Sequence, residues 1–153
     1  MRALLILFLS AGLFTAAQAA DAVTGRIIKV LPFFLDVQGR DAKSPSLFDR
    51  DAYQAHLRVH TNEISAQLFD VQWKAAKSAD GKLKLRVELR GVGERGLPKL
   101  QSLETEVTPG TFSRWANLTL GGDDYKTFGS VVAWRVTLWN HDTLLGEQKS
   151  FLW

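Results

Sequence analysis

Residues 82–90 read KLKLRVELR, with Leu83, Leu85, Val87 and Leu89 in one phase and Lys84, Arg86, Glu88 and Arg90 in the other. Side chains alternate across a strand, so a strict period of two gives this segment one core face and one solvent face, which a helical period of 3.6 cannot do. It belongs in a half-buried sheet. Phe69-Asp70-Val71-Gln72-Trp73-Lys74 alternates in the same way, and the Asp80-Gly81 turn signal between the two runs predicts a hairpin joining them. Val132, Trp134, Val136 and Leu138 alternate with Ala133, Arg135, Thr137 and Trp139, and Asn140-His141-Asp142 turns this run into residues 144–153 as a second hairpin. Further strands are expected over 25–31, continuing through 32–37, over 100–107 and over 112–120. Thr108-Pro109-Gly110 and Gly121-Gly122-Asp123-Asp124 supply the turns after the last two.

One segment breaks the alternation. Ser44-Pro45-Ser46 offers an N-cap with proline in the first turn, Ser46 and Asp49 have capping-box spacing, and Phe48, Ala52, Ala55 and Val59 recur at helical intervals. An amphipathic helix over about 45–60 follows, with that apolar stripe buried. Some seven strands, one helix between the first and second, and no regular strand–helix alternation predict a mainly β, antiparallel sandwich. Its core should hold Val71, Trp73, Leu85, Val87 and Trp134. The chain has no cysteine, so this core must hold without disulfides, which is feasible at this length.

The N-terminus has a different character. Arg2, the apolar run 3–14 and Ala17-Gln18-Ala19 are the three parts of a secretory signal peptide, which predicts cleavage after Ala19 or Ala20 and a single domain over 20–153. No cysteine follows that site to take a lipid anchor, and no later window approaches eighteen apolar residues, so no membrane span is expected in the mature chain. The expected location is the periplasm or the exterior of a bacterial envelope.

LFDVQWKAAKSADGKLKLRVELRG resembles the second-strand tryptophan and following hairpin of fibronectin type III and related immunoglobulin-like domains, and YKTFGSVVAWRVTLWNHDTLLGEQKSFLW resembles their last two strands. The resemblance implies an immunoglobulin-like sandwich, Trp73 as the core tryptophan, Trp134 as its counterpart across the sheets, and a binding or scaffolding role. It carries no catalytic residues. The helix at 45–60 and the missing inter-sheet disulfide depart from that pattern.

Candidate sites are of three kinds. Between positions 74 and 99, eight basic residues meet three acids, whereas the mature chain as a whole is near balance, with no nucleic-acid-binding excess. Lys84, Arg86 and Arg90 therefore offer a basic face for an anionic envelope polymer. Trp139, Phe151 and Trp153 fall in the outward phase of the last hairpin and offer an aromatic surface for a protein partner or a sugar, unless the helix packs over them. His56 and His60 stand four apart on the helix, as zinc ligation requires, with Glu63 or His141 as a third ligand. Leu57 stands where H-E-x-x-H needs its glutamate.

Other motifs read as architecture. Gly91-Val92-Gly93-Glu94-Arg95-Gly96 fits G-x-G-x-x-G but leads into a strand, not the helix a dinucleotide fold needs. Glu104 and Glu106 share a strand face, and Asp123 and Asp124 suit a turn or a calcium loop. No cysteine or G-x-S-x-G nucleophile is present, and no cofactor is expected. The function expected is an exported, non-enzymatic binding or scaffolding domain that contacts a protein partner or an anionic polymer. The alternatives are a carbohydrate-binding module using exposed tryptophans, a metal-dependent hydrolase using His56 and His60, and a small eight-stranded outer-membrane barrel. N-terminal sequencing of the protein from an envelope fraction should begin at Ala20 or Asp21; a chain that keeps Met1 in the cytosol would remove the export reading.

Overall fold

The computed structural model describes residues 23–76, 81–93 and 96–153. The expected signal peptide and its cleavage site lie outside the described residues, as do Asp80 of the expected turn and Glu94 and Arg95 of the glycine motif. Strands β1 (Gly25–Asp36), β2 (Ile64–Ala75), β3 (Leu83–Val92), β4 (Pro98–Val107), β5 (Arg114–Gly121), β6 (Ser130–Asn140) and β7 (Thr143–Lys149) alternate with two helices, α1 (Leu47–Val59) and α2 (Gly122–Phe128). The strands form two antiparallel sheets, one ordered β1-β2-β5 and the other β4-β3-β6-β7. The molecule is therefore a mainly β sandwich with a helix between its first two strands, as the periodicities predict. Two separate sheets do not close into a single eight-stranded barrel. Among the described residues no helix is long and apolar enough to cross a membrane.

Period-two alternation explains the core. Phe69, Val71 and Trp73 of β2, with Leu118 and Leu120 of β5, face Leu83, Leu85, Val87 and Leu89 of β3 and Val136 and Leu138 of β6. Most of these side chains are fully buried, each contributing roughly 1.5–3 kcal/mol. Trp134 is half-buried against the same cluster.

The expected hairpin between β2 and β3 does not form. β2 pairs with β1 and β5, and β3 with β4 and β6, so the chain crosses from one sheet to the other after Ala75. Two half-buried strands can lie side by side or face one another across a core, and alternation fits both arrangements. The fourth strand lies beside the third, unlike the antibody constant-type partition in which it joins the first and second. The β6–β7 hairpin forms as expected, with His141 at φ 50° in its turn. Gly121-Gly122-Asp123-Asp124, expected as a turn, instead opens α2, which inserts Phe128 into the core.

Helix α1 starts where its cap predicts, with Ser46 Oγ accepting from the Asp49 N–H, but it buries the opposite face. Phe48 and Val59 are 81% and 78% exposed, Ala52 and Ala55 are exposed, and the buried side chains are Tyr53, Gln54 and Leu57. Polar anchors decide the orientation. β1 is an edge strand, and its Phe34 N–H donates to Gln54 Oε1 at 2.8 Å while Gln54 Nε2 donates to the Phe34 carbonyl at 2.9 Å. One side-chain amide thus serves as a single residue of the missing neighbour strand.

Beside it, Tyr53 Oη donates at 2.7 Å to Asp36, which is 3% exposed and also accepts from the Gln38 and Arg40 backbone and the Arg40 guanidinium. Burial by itself pushes the Asp36 carboxyl up; the donors from Arg40, Tyr53 and Gln38 outweigh it and hold the group well below the usual carboxylate range. A buried charge stripped of its partner costs about 3–5 kcal/mol, more than turning Phe48 inward would return.

The two sheets also meet along one side, where β1 approaches β7. A Cβ on Gly146 would lie 2.7 Å from the Arg26 Cα, and one on Gly25 would lie 2.9 Å from the Leu145 Cβ, so this seam requires glycine on both strands.

An Asp36→Asn protein should lose about 3 kcal/mol at pH 7, read as a lower melting temperature. Because the folded carboxyl titrates below its unfolded value, its contribution is complete above about pH 4 and fades as pH falls toward the folded value, so the difference from wild type should narrow at pH 3. An equal gap at both pH values would show that charge is not what anchors α1.

Candidate functional site

The outer face of the four-stranded sheet gathers most of the residues singled out from sequence. Register sets them in rows: Trp139, Lys84 and Glu106; then Thr137, Arg86 and Glu104; then Arg135, Glu88 and Ser102; then Ala133, Arg90 and Leu100. Lys84 and Arg86 both reach Glu104, at 3.4 and 2.6 Å, and Lys82 reaches Glu106 at 2.7 Å. Partial burial pushes the Glu104 carboxyl up, but Arg86 and Lys84 prevail and hold it below its ordinary value. Arg135 bonds Glu88 at 2.7 Å and approaches Glu147 at 3.7 Å. Three of the basic residues of 74–99, Lys82, Lys84 and Arg86, are thus paired with acids of β4, outside that window. Each exposed pair contributes only about 0–1 kcal/mol, yet together they neutralise the face.

Arg90 has a different partner. After β7, the Ser150 N–H donates to the Trp134 carbonyl at 2.9 Å, Ser150 Oγ accepts from the Trp134 N–H at 3.0 Å, and a turn closes with the Trp153 N–H on the Ser150 carbonyl at 3.2 Å. That turn folds Trp153 back onto the sheet. Its ring carries the Arg90 guanidinium at 4.1 Å and the Arg135 guanidinium at 5.1 Å from its centroid. Such contacts contribute about 0.5–2 kcal/mol each, depending on desolvation. They fix the indole as one wall of a groove of about 390 Å³ that continues over Glu88, Leu100 and Ser102.

The basic face and the aromatic surface, expected as separate sites, are therefore one face with three arginine–tryptophan contacts, since Arg86 also lies 5.9 Å from the Trp139 ring. Trp139 is half-buried, and its indole Nε1 is enclosed without a partner among the described residues. Phe151 is fully exposed at the tip of the terminal turn, with Leu152 beside it at 64% exposure. Helix α1 covers none of these residues, because it packs against β1 of the other sheet. Arg135 and Glu88 complete the groove and were not expected there. Their strand phase was legible, but their pairing depends on the β3–β6 register.

The histidines have another arrangement. His56 and His60 stack with centroids 4.0 Å apart and planes 19° apart, His56 Nε2 meets Glu63 at 3.0 Å, and His60 Nδ1 meets the His56 carbonyl at 3.0 Å. Zinc needs ligand nitrogens converging to about 2.0–2.1 Å of one point, and face-to-face rings direct them alongside one another. His141 lies in the β6–β7 turn of the four-stranded sheet.

The glycine motif begins in the last residues of β3, the Gly93 N–H donates to the Leu97 carbonyl, and strand β4 follows. Gly91 is glycine for a packing reason, since a Cβ there would lie 2.4 Å from the Phe128 ring. Glu104 and Glu106 belong to the ion pairs above, and Asp123 and Asp124 to the first turn of α2.

The groove joins an aromatic wall, two guanidiniums, a carboxylate and an exposed leucine, a set suited to contact. Among the described residues, no histidine or carboxylate is hydrogen-bonded to the Ser102 hydroxyl. Comparison with known proteins adds no relative: no family model, no curated protein and no solved structure matches the chain.

Proposed function

We propose that the chain is an exported, non-enzymatic binding domain of a bacterial envelope, immunoglobulin-like in architecture, and that it contacts a protein partner through the Trp153 end of its four-stranded sheet. The observation that carries this reading is the Trp153 ring held half-buried under Arg90 and Arg135 beside the exposed Leu100. Interface hot spots are enriched in tryptophan and arginine, and here both are ordered before a partner arrives, which lowers the entropy lost on contact. Val92, Leu97, Leu100 and Val132, all exposed, lie at the same end of the sheet, where β3 meets β4 and β6 begins. That apolar fringe favours a protein over an anionic polymer, as do the carboxylates already seated on Lys84 and Arg86. It also favours a protein over a sugar, because guanidiniums lie on the indole where a pyranose would stack.

A photo-crosslinking residue in place of Ser102, in the full chain expressed in the cell that makes it, should give one discrete protein adduct, and one in place of Lys29 on the other sheet should not. Trp153→Ala should weaken that partner's binding by about 30-fold or more. Adduct formation that Trp153→Ala and Arg90→Ala leave unchanged, or labelling as strong from Lys29, would defeat this reading.

A further inference from the structure

A second concentration of charge lies on the other sheet, where the neutralising pattern is absent. Arg26 of β1 and Lys74 of β2 are direct register partners on the outer face of the three-stranded sheet. Like charges directly opposite across an antiparallel pair destabilise it. Arg114, the first residue of β5, adds a third cation. Its guanidinium lies along the loop at Gly110, where a Cβ would come within 2.8 Å of both Nε and Nη2, so the glycine lets the loop backbone seat the side chain.

Together with Thr24 and Thr111, the three cations line a cleft of about 750 Å³ whose lining contains no aspartate or glutamate among the described residues. None of the three has a carboxylate within 4.0 Å among the described residues, in contrast to Lys82, Lys84, Arg86 and Arg135 on the opposite sheet. The cleft is held in shape from two sides. The Ala76 N–H donates to the Thr24 carbonyl at 2.8 Å across its mouth, and the Gly25–Gly146 seam fixes β1 behind it. A register shift between Ile27 and Lys29 sits immediately beside the like-charged pair, at a position where bulges re-aim side chains.

We infer that this cleft binds a phosphate group, with Arg26, Lys74 and Arg114 as its cationic wall and the Thr24 and Thr111 hydroxyls as further donors. Three cations without a carboxylate partner among the described residues, set around one opening, suit a dianion better than a single carboxylate, and two guanidinium forks match the oxygen geometry of phosphate. The bound dianion would also relieve the repulsion that the free protein tolerates. One row along the same outer face, Trp115 stands opposite Gln72 and is 47% exposed. A phosphate ester of a sugar would reach it, and inorganic phosphate would not. This site is on the opposite sheet from the Trp153 groove and does not depend on it.

Melting of the full mature protein, with inorganic phosphate and with glucose 6-phosphate, each against sodium chloride and sodium acetate at equal ionic strength, tests the cleft. Phosphate should raise the melting temperature by about 3 °C or more once it exceeds its dissociation constant tenfold. The Arg26→Gln, Arg114→Gln double variant should lose that rise. Lys74→Gln alone should reduce it while leaving the phosphate-free protein at least as stable as wild type, because a like-charge pair has been removed. A larger rise with glucose 6-phosphate that Trp115→Ala brings down to the phosphate value identifies a sugar phosphate; equal rises identify the phosphate group alone. The inference fails if chloride or acetate gives the same rise, or if both charge variants respond as wild type does.

Discussion

No disulfide ties the two sheets together, so the fold depends on the burial of β2 against β3 across the core. Trp73, Phe69 and Val71 on one side and Leu83, Leu85, Val87 and Leu89 on the other are sealed from water, and this contact fixes which phase of each strand faces out. Once Leu85 and Val87 point inward, Lys84, Arg86, Glu88 and Arg90 must point outward, and the β3–β4 and β3–β6 registers then decide which acid or aromatic ring each one meets. The surface chemistry follows from the core, because a slip of one residue would exchange the two sets.

Strand phase and element order were legible in the sequence, because alternation is a local property and leaves its mark within six to ten residues. Pairing was not. The β2–β3 hairpin was a fair reading of two alternating runs around Asp80-Gly81, and only the partners on either side, far along the chain, distinguish it from a crossing between sheets. Helix α1 shows the same limit in another form. Its boundary was carried by Ser46, a local cap, but its buried face was decided by Asp36 and the unpaired Phe34 backbone, which no helical periodicity within 45–60 contains. The apolar stripe Phe48, Ala52, Ala55 and Val59 is a true pattern that lost to a buried carboxylate and an open edge.

Charge was the least legible property for the same reason. A window along the chain counts neighbours in sequence, whereas a sheet face is assembled from strands that may be distant in sequence. The excess over 74–99 was real, yet Glu104 and Glu106 pair with Lys82, Lys84 and Arg86 on the four-stranded sheet, while Lys74, counted in the same window, stands opposite Arg26 on the other. Arg90 and Trp153 were both named beforehand, for different surfaces. It is the turn at Ser150 that makes them one site.

The edge of β1 is guarded in two halves, and these close on different terms. Around Phe34 the guard is Gln54, 20 residues along the chain; around Gly25 it is β7, reached at Gly146 after about 120 residues of intervening chain. By loop-closure entropy alone the second contact costs about 1.6 kcal/mol more to bring together, and long-range contacts of this kind slow folding. A nascent chain therefore passes through a stage in which the Phe34 half of the strand can already be capped while the Gly25 half is still uncovered. During that interval a second copy of the chain competes for the place of β7, so the first turn of the sandwich to be synthesised is among the last to become safe from mispairing.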